Sequence, residues 1–190
     1  MNEIRAFIAI EIDPACKQQI SGLIERLKKS DVDVKWVKET QMHLTLKFLG
    51  NVKQDKVPEI SAALKDIASK TLSFQIAFSD ISTFPGLSRP RVIWLGMDKG
   101  AENLKELAGY IADGMEKLGL KKEGRDYKAH LTLGRVRSQK NIRELTKLIG
   151  ETDFKPPVGI KINKFILFQS ILTSKGPVYT LLQEFPLLKK

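Results

Sequence analysis

The chain contains two histidines, and each begins the same tetrapeptide, His-Leu-Thr-Leu, at residues 43–46 and 130–133. In an extended strand, successive side chains point to opposite faces. A histidine and the threonine two positions later therefore share one face, about 6.7 Å apart along the strand. The leucines point to the other face, which we expect to be the core. Each copy thus offers one imidazole and one hydroxyl on a single face.

Two imidazoles and two hydroxyls that face a shared groove suit displacement at a phosphodiester. This reaction needs a base for the attacking oxygen and an acid for the leaving oxygen, and histidine can take either role because its ordinary pKa is about 6.5. Threonine hydroxyls can donate hydrogen bonds to the phosphate oxygens that gain charge. We therefore predict His43 and His130 as the catalytic pair and Thr45 and Thr132 as phosphate ligands. Residue types alone do not say which histidine is the acid.

Metal or cysteine chemistry fits this pattern less well. A catalytic zinc site uses three protein ligands, and the two histidines leave the third to an unidentified carboxylate. The single cysteine, Cys16, lies on the apolar stripe of the first predicted helix, where a small buried hydrophobic residue is expected. We predict a reaction that needs no metal and no other cofactor.

The elements that carry these residues repeat along the chain. Asp13 and Pro14 are typical of a helix N-cap and first turn. Apolar spacing predicts strands and helices in the same order in both halves, with the histidines 130 − 43 = 87 residues apart and a loop at 83–90 between the halves. The predicted strands are 5–12, 34–37, 42–49, 72–78, 91–97, 130–136, 158–169 and 178–185. The predicted helices are 16–27, 57–67, 104–118 and 141–148.

A duplication of this kind predicts an α+β fold of two similar lobes related by an approximate twofold axis. Corresponding residues then converge where the lobes face each other, and the site is expected there. The alternative is chance recurrence of a common α+β pattern. With 190 residues, 42% of them hydrophobic, the chain can form one domain over residues 1–190, made of two interlocked pseudo-symmetric lobes.

The charge balance indicates the kind of partner. There are 32 Lys and Arg residues against 22 Asp and Glu, a net charge of +10, which favours a polyanion. No apolar run approaches the roughly 18 residues of a membrane span, and the first residues lack the apolar core of a signal peptide. We expect a cytoplasmic monomer with no membrane contact and no obligatory protein partner.

The sequence resembles the 2H phosphoesterase superfamily, which has two His-x-Thr-x motifs, and within it the RNA 2′,3′-cyclic phosphodiesterase (2′-5′ RNA ligase-like) family. The likeness covers nearly the whole chain. It rests on RAFIAI at 5–10, Trp36, HLTLKFLG at 43–50, PRVIWLG at 90–96, HLTLGR at 130–135, LFQS at 167–170, and Gly176-Pro177-x-Tyr179.

This resemblance implies a bilobal, pseudo-twofold 2H phosphoesterase (LigT-like) fold, with two antiparallel sheets lining a central cleft and helices outside. It implies hydrolysis of RNA 2′,3′-cyclic phosphate ends to 2′-phosphomonoesters, with a weak reversible 2′-5′ ligation. RNA with a 3′-terminal cyclic phosphate or a 2′-5′-linked end would be the partner. By the family pattern, His43 donates a proton to the leaving 3′ oxygen and His130 activates water.

Two basic residues close to the motifs are further candidates for binding phosphate. Lys47 has the same parity as His43, so we expect it either to reach substrate phosphates or to be a solvated lysine at the rim. Arg135 matches an arginine that is frequent in the family, but strict alternation puts it on the leucine face. A phosphate contact would therefore need a β-bulge near Gly134; otherwise Arg135 is structural.

Aromatic residues near the motifs suggest where bases stack. Phe48 has leucine-face parity and is expected in the core, whereas Phe84 and Tyr127 either stack bases at the cleft mouth or serve packing. The basic run 121–125 is either an approach for RNA phosphates or an exposed turn.

Two other functions remain open on sequence grounds. The groove could recognise RNA ends without turnover, as a binding module. The same chemistry could also act on small cyclic nucleotides or on 2′-5′-linked oligonucleotides.

Overall fold

The structure, a computed structural model, describes residues 2–122, 124, 126–154, 159–174 and 176–189. Glu123 and Arg125, from the basic run expected near RNA phosphates, lie outside these residues. Val158, the first residue of the predicted strand 158–169, also lies outside them.

The described residues form ten strands and four α-helices. Their order follows the prediction, except that β5 is additional and the predicted strand 158–169 is divided into β8 and β9. The strands are β1 Glu3–Glu11, β2 Val34–Trp36, β3 His43–Lys53, β4 Phe74–Ile76, β5 Phe78–Phe84, β6 Val92–Met97, β7 Leu131–Val136, β8 Ile160–Ile162, β9 Lys164–Thr173 and β10 Gly176–Pro186. The helices are α1 Pro14–Lys28, α2 Val57–Ala68, α3 Ala101–Lys117 and α4 Ile142–Glu151.

Two antiparallel four-stranded sheets dominate the fold, which confirms the predicted α+β class. Their strand orders are β10-β9-β1-β3 and β2-β7-β6-β5, and β4 pairs separately with β8. The two halves of the chain exchange strands. The late strands β9 and β10 join β1 and β3, and the early strands β2 and β5 join β6 and β7. Neither large sheet is complete within one half of the sequence.

Apolar side chains from both sheets and all four helices form one connected core. Helix α1 shows how a sequence pattern leads to this packing. Its Asp13 side chain accepts a hydrogen bond from the Cys16 backbone N–H at 2.9 Å, and Pro14 occupies the first turn, as predicted. The spacing of the apolar residues then puts one stripe of the helix into the core. Its buried members are Cys16, Ile20, Leu23, Ile24 and Leu27.

Strand β5 differs from the sequence prediction, which ends a strand at Phe78 and begins a loop at Thr83. The strand runs to Phe84 at the edge of its sheet, and its pairing with β6 is irregular between Phe78 and Ile81. The segment contains Asp80, a residue type that is depleted in strands. Its strand conformation comes from pairing with β6, which no local pattern reveals.

A β-bulge interrupts β3 at the last leucine of its motif. Thr45 pairs with Ala9 and Lys47 pairs with Ile8, so Leu46 is the extra residue. Because side chains alternate along a strand, one extra residue moves the side chains that follow it to the other face. Lys47 and Phe48 therefore reverse the orientation that strict alternation assigns to them, up to a second irregularity at Leu49.

Strand β7 carries a bulge at the equivalent position. Thr132 pairs with Trp94 and Gly134 pairs with Ile93, so Leu133 is the extra residue. This is 133 − 46 = 87 residues after the bulge in β3, the same interval that separates the two histidines. The repeat therefore preserves the irregularity together with the motif.

Gly134 lies tightly against strand β2, and we expect that an alanine there would destabilise the fold. A Cβ atom on Gly134 would lie 2.5 Å from Val34 Cγ1 and 3.0 Å from Trp36 Cε3. Overpacking of this kind costs about 1–3 kcal/mol. Gly134→Ala should lower the free energy of unfolding by that amount, about 1–3 kcal/mol, in chemical denaturation.

Gly109 in helix α3 provides the matched control, since a Cβ atom there meets nothing within 4 Å. Gly109→Ala should leave stability unchanged or raise it by up to about 1 kcal/mol through helix propensity. Equal unfolding free energies for Gly134→Ala and the wild type would show that Gly134 is not closely packed.

Candidate active site

The two motifs meet in one cleft between the sheets. His43 and Thr45 from β3, together with His130 just before β7 and Thr132 within it, line a cavity of about 300 Å³. The leucines of both motifs are buried on the opposite face, as alternation requires. The structure therefore brings all four predicted side chains together. The other lining residues are Lys35, Trp36, Val37, Gln41, Phe48, Arg135, Pro177 and Tyr179.

Both imidazoles are held by the same backbone contact. His43 Nδ1 lies 2.8 Å from the carbonyl oxygen of Gln41, and His130 Nδ1 lies 2.7 Å from that of Lys128. A carbonyl oxygen only accepts, so each Nδ1 carries the hydrogen and donates it. In both rings, this leaves Nε2 as the nitrogen for proton exchange with a substrate.

Aromatic rings surround each histidine. The centroid of the His43 ring lies 5.0 Å from that of Phe7 and 5.2 Å from that of Tyr179, which meets it edge-on. The His130 ring has Phe84 at 5.3 Å and Trp94 at 6.0 Å, both T-shaped. Packing of this kind fixes the orientation of the imidazoles and removes water from their faces.

This environment favours the neutral form of both imidazoles. Burial and, to a smaller extent, the positive charge of Lys17 lower the pKa of His43 to about 4, against the opposing effect of the Gln41 carbonyl. Burial also lowers the pKa of His130, and the charges of Arg135 and Lys128 add to that effect. An anion bound between the rings would raise both pKa values, because it stabilises the protonated imidazoles.

Lys47 is not in the cleft, so its expected position on the His43 face is wrong. The residue is only 3% exposed, and its Nζ donates a hydrogen bond to the Lys121 carbonyl oxygen at 2.9 Å. The bulge at Leu46 is the reason, because it moves Lys47 to the buried face. Lys47 therefore belongs to the packing behind the cleft.

The same bulges bring Phe48 and Arg135 into the cleft. Phe48, expected in the core, is instead 52% exposed and lines the cavity. Arg135 is also exposed and lines it, in agreement with the alternative that a bulge re-aims this side chain. The two residues are 135 − 48 = 87 positions apart, so the repeat places an aromatic ring in one lobe where the other has a guanidinium.

Phe84 and Tyr127 lie beside the cleft and outside its lining. Phe84 stacks on Trp94, with centroids 4.7 Å apart, and Tyr127 is partly buried, which raises the pKa of its hydroxyl. Both line an adjoining groove that also includes His130. Both residues thus lie close to the mouth of the cleft, where the sequence places them. The contact of Phe84 with Trp94 is a packing contact.

Gln41 and Tyr179 were not predicted from the sequence as site residues. Gln41 Nε2 donates a hydrogen bond to the Pro177 carbonyl oxygen at 2.7 Å, which ties the segment before β3 to strand β10. Tyr179, from β10, meets His43 edge-on. The only signal was the Gly176-Pro177-x-Tyr179 motif, because nothing local indicates that β10 lies beside the cleft.

Metal ligation, a cysteine nucleophile and a membrane span were each looked for in the described part of the chain. No group of three His, Cys, Asp or Glu side chains is arranged there to hold a metal ion. Cys16 is buried, and burial together with the charge of Asp13 raises the pKa of its thiol to about 12, so it is a poor nucleophile. None of the helices described is both long and apolar enough to cross a bilayer.

A family model, described as LigT like Phosphoesterase, matches the chain twice, over residues 10–94 and 95–179. The chain belongs to this phosphoesterase family. Each match contains one His-Leu-Thr-Leu motif, so the family pattern follows the internal repeat.

Curated relatives of this phosphoesterase cover nearly the whole chain. The RNA 2′,3′-cyclic phosphodiesterase of Aquifex aeolicus is 34% identical over 192 residues, which is 97% of this chain and 98% of the relative. The protein of the same name from Thermotoga maritima is 35% identical over 181 residues, 95% of this chain and 94% of the relative. They confirm the resemblance found in the motifs.

Solved structures support the fold. The crystal structure of a Thermus thermophilus protein, TT0787, superposes with a TM-score of 0.80 at 25% identity, covering 98% of this chain and all of that one (100%). Escherichia coli LigT complexed with 3′-AMP gives a TM-score of 0.78 at 25% identity, covering 98% of this chain and 99% of that one. The predicted LigT-like fold is therefore confirmed.

The environment of the histidines leads to a testable titration. In NMR spectra of the free protein, the His43 imidazole should titrate near pH 4 and that of His130 below its ordinary range. Saturation with inorganic phosphate should raise both pKa values, because a phosphate bound between the rings stabilises their protonated forms. A His130→Asn variant assigns the signals. A His43 pKa at or above 6.5 in the free protein would contradict the burial argument.

Proposed function

We propose that this phosphoesterase hydrolyses 2′,3′-cyclic phosphate at the 3′ end of RNA to a 2′-phosphomonoester, with His43 and His130 as the acid-base pair. The observation that carries the proposal is the matched setting of the two rings. Both donate Nδ1–H to a backbone carbonyl and both line one cleft, which leaves two Nε2 atoms for one substrate. The relatives named RNA 2′,3′-cyclic phosphodiesterase and the net charge of +10 support RNA as the substrate.

In the proposed reaction, Nε2 of neutral His130 takes a proton from water as the water oxygen bonds to phosphorus. The bond from phosphorus to the 3′ oxygen breaks on the opposite side, and protonated His43 gives its Nε2 proton to that oxygen. This assignment of roles follows the resemblance. One proton leaves the pair and one enters, so no metal is needed to balance the step. The 5′ hydroxyl of a second RNA in place of water would give 2′-5′ ligation by the same steps.

The protonation state of His43 links substrate binding to catalysis. With a pKa of about 4 in the free protein, His43 is neutral at physiological pH and has no proton to donate from Nε2. The negative charge of the cyclic phosphate is what raises this pKa in the complex. The acid is therefore charged only when an anionic substrate occupies the cleft.

Three polar side chains and one ring complete the proposed site. The hydroxyls of Thr45 and Thr132 donate hydrogen bonds to the non-bridging phosphate oxygens, where charge grows in the transition state. The guanidinium of Arg135 binds the same oxygens in the bidentate manner typical of arginine and phosphate. The exposed ring of Phe48 supports the terminal base by stacking.

The first test is the fate of a 3′-cyclic-phosphate oligonucleotide incubated with the protein in EDTA. We expect addition of one water to give the 2′-phosphate, with a bell-shaped dependence of rate on pH. His43→Ala and His130→Ala should each lower kcat/KM by about 10²- to 10⁴-fold, because each removes one proton transfer. The terminus is identified by mass and by ³¹P NMR.

Arg89→Gln, at an exposed position outside the cleft, is the control and should retain wild-type rates. Near-normal hydrolysis by both histidine variants would refute the acid-base assignment. Salt-sensitive RNA binding without any product would favour a binding module. Turnover confined to mononucleotides or to 2′-5′-linked oligonucleotides would change the substrate and keep the chemistry.

A second test separates the hydroxyl of Thr132 from its packing. Thr132→Val removes the proposed hydrogen bond to phosphate and should lower kcat about 10²-fold, as loss of one oxyanion donor does elsewhere. Thr132→Ser keeps the hydroxyl and should stay close to wild type. If the valine variant were as fast as the serine variant, the hydroxyl would have no part in catalysis.

A further inference from the structure

A second groove continues from the cleft on the His130 side. It has a volume of about 660 Å³ and shares Thr45, Phe48 and His130 with the cleft. The rest of its lining includes Phe84, Arg91, Asp126, Tyr127 and Lys128. Apart from the three shared residues, the catalytic chemistry proposed above uses no part of this groove.

The walls of this groove combine aromatic surface with positive charge. The ring of Phe84 stacks on Trp94, and Lys128 Nζ lies 5.3 Å and 4.7 Å from their centroids. Arg91 is exposed in the lining, and neither it nor Lys128 forms a salt bridge among the described residues. Asp126 supplies one negative charge against these two positive ones.

Single-stranded nucleic acid is the ligand that such a surface suits. Proteins bind it with cationic grooves that follow the backbone and with aromatic or apolar surfaces that support the bases. The position of Phe48 indicates how an RNA strand would run. Its exposed ring borders both the cleft and the groove. If the terminal base stacks on this ring while its phosphate lies in the cleft, the preceding nucleotide lies in the groove.

We infer that this groove is a subsite for the nucleotide that precedes the cyclic-phosphate terminus, with Arg91 and Lys128 binding the phosphodiester between the two nucleotides. The inference rests on the proposed function, since it assumes that the terminal phosphate occupies the cleft. It makes the enzyme selective for RNA chains over free cyclic mononucleotides. The groove thus determines the substrate class, and the cleft performs the reaction.

The test compares a 2′,3′-cyclic mononucleotide with a dinucleotide that ends in the same cyclic phosphate. We expect the wild type to show a kcat/KM about tenfold higher for the dinucleotide, equivalent to about 1.4 kcal/mol. Arg91→Gln should lose most of that gain while hydrolysing the mononucleotide at the wild-type rate. For longer oligonucleotides, the slope of log KM against log salt should also fall by about 0.7, as expected for one lost phosphate contact on a single strand.

Arg91→Lys keeps the charge and should keep most of the gain, and Arg89→Gln, two positions away and outside the groove, should keep all of it. Equal kcat/KM values for the two substrates in the wild type, or an undiminished gain in Arg91→Gln, would overturn the inference. If neither substrate were hydrolysed, the proposed function would fail instead. The dissociation constants of the mono- and dinucleotide 2′-phosphates would then still test the groove, with the same tenfold difference expected.

Discussion

Burial of the motif leucines is the constraint on which the site depends. Leu44, Leu131 and Leu133 are fully buried and Leu46 is 5% exposed, so each motif is anchored to the core by one face of its strand. Because side chains alternate along a strand, the histidine and the threonine then point to the opposite face, which lines the cleft. The hydrophobic effect itself has no preferred direction. It nevertheless orients the polar side chains here, because side chains alternate between the two faces of a strand and the leucines hold one face in the core. The same anchoring occurs twice, and this gives the cleft its two matching walls.

The exchange of strands between the halves makes the two walls depend on each other. Sheet β10-β9-β1-β3 needs the end of the chain, and sheet β2-β7-β6-β5 needs strands from the beginning. Neither wall can form its complete sheet while the other half is unfolded. A site of this kind is preorganised, because the positions of the two imidazoles are set by the whole fold and not by a mobile loop. The contact from Gln41 to the Pro177 carbonyl ties β10 to the segment that supports His43.

Burial and backbone hydrogen bonding act in opposite directions on the pKa values of the two histidines. Burial and the nearby positive charges favour the neutral rings, whereas the backbone carbonyls that accept Nδ1–H favour the charged ones. Burial has the largest effect. A phosphate bound between the rings would therefore raise both pKa values, because its negative charge stabilises the protonated imidazoles. The repeat is not perfect, since one lobe contributes Phe48 where the other contributes Arg135, and this asymmetry puts an aromatic ring and a guanidinium in the same cleft.

The sequence by itself determined the histidine pair, the threonines beside it, the repeat and the Asp13 cap, because each depends on residue type and short-range spacing. Only the tertiary structure decided the places of Lys47, Phe48 and Arg135. Their orientations follow from bulges at Leu46 and Leu133, and a bulge arises from the register between a strand and its neighbour, which leaves no local pattern. Strand β5 and the approach of Tyr179 to His43 were undetermined for the same reason. Side-chain periodicity is a local property of the chain, whereas register and the meeting of distant strands are properties of the assembled sheet.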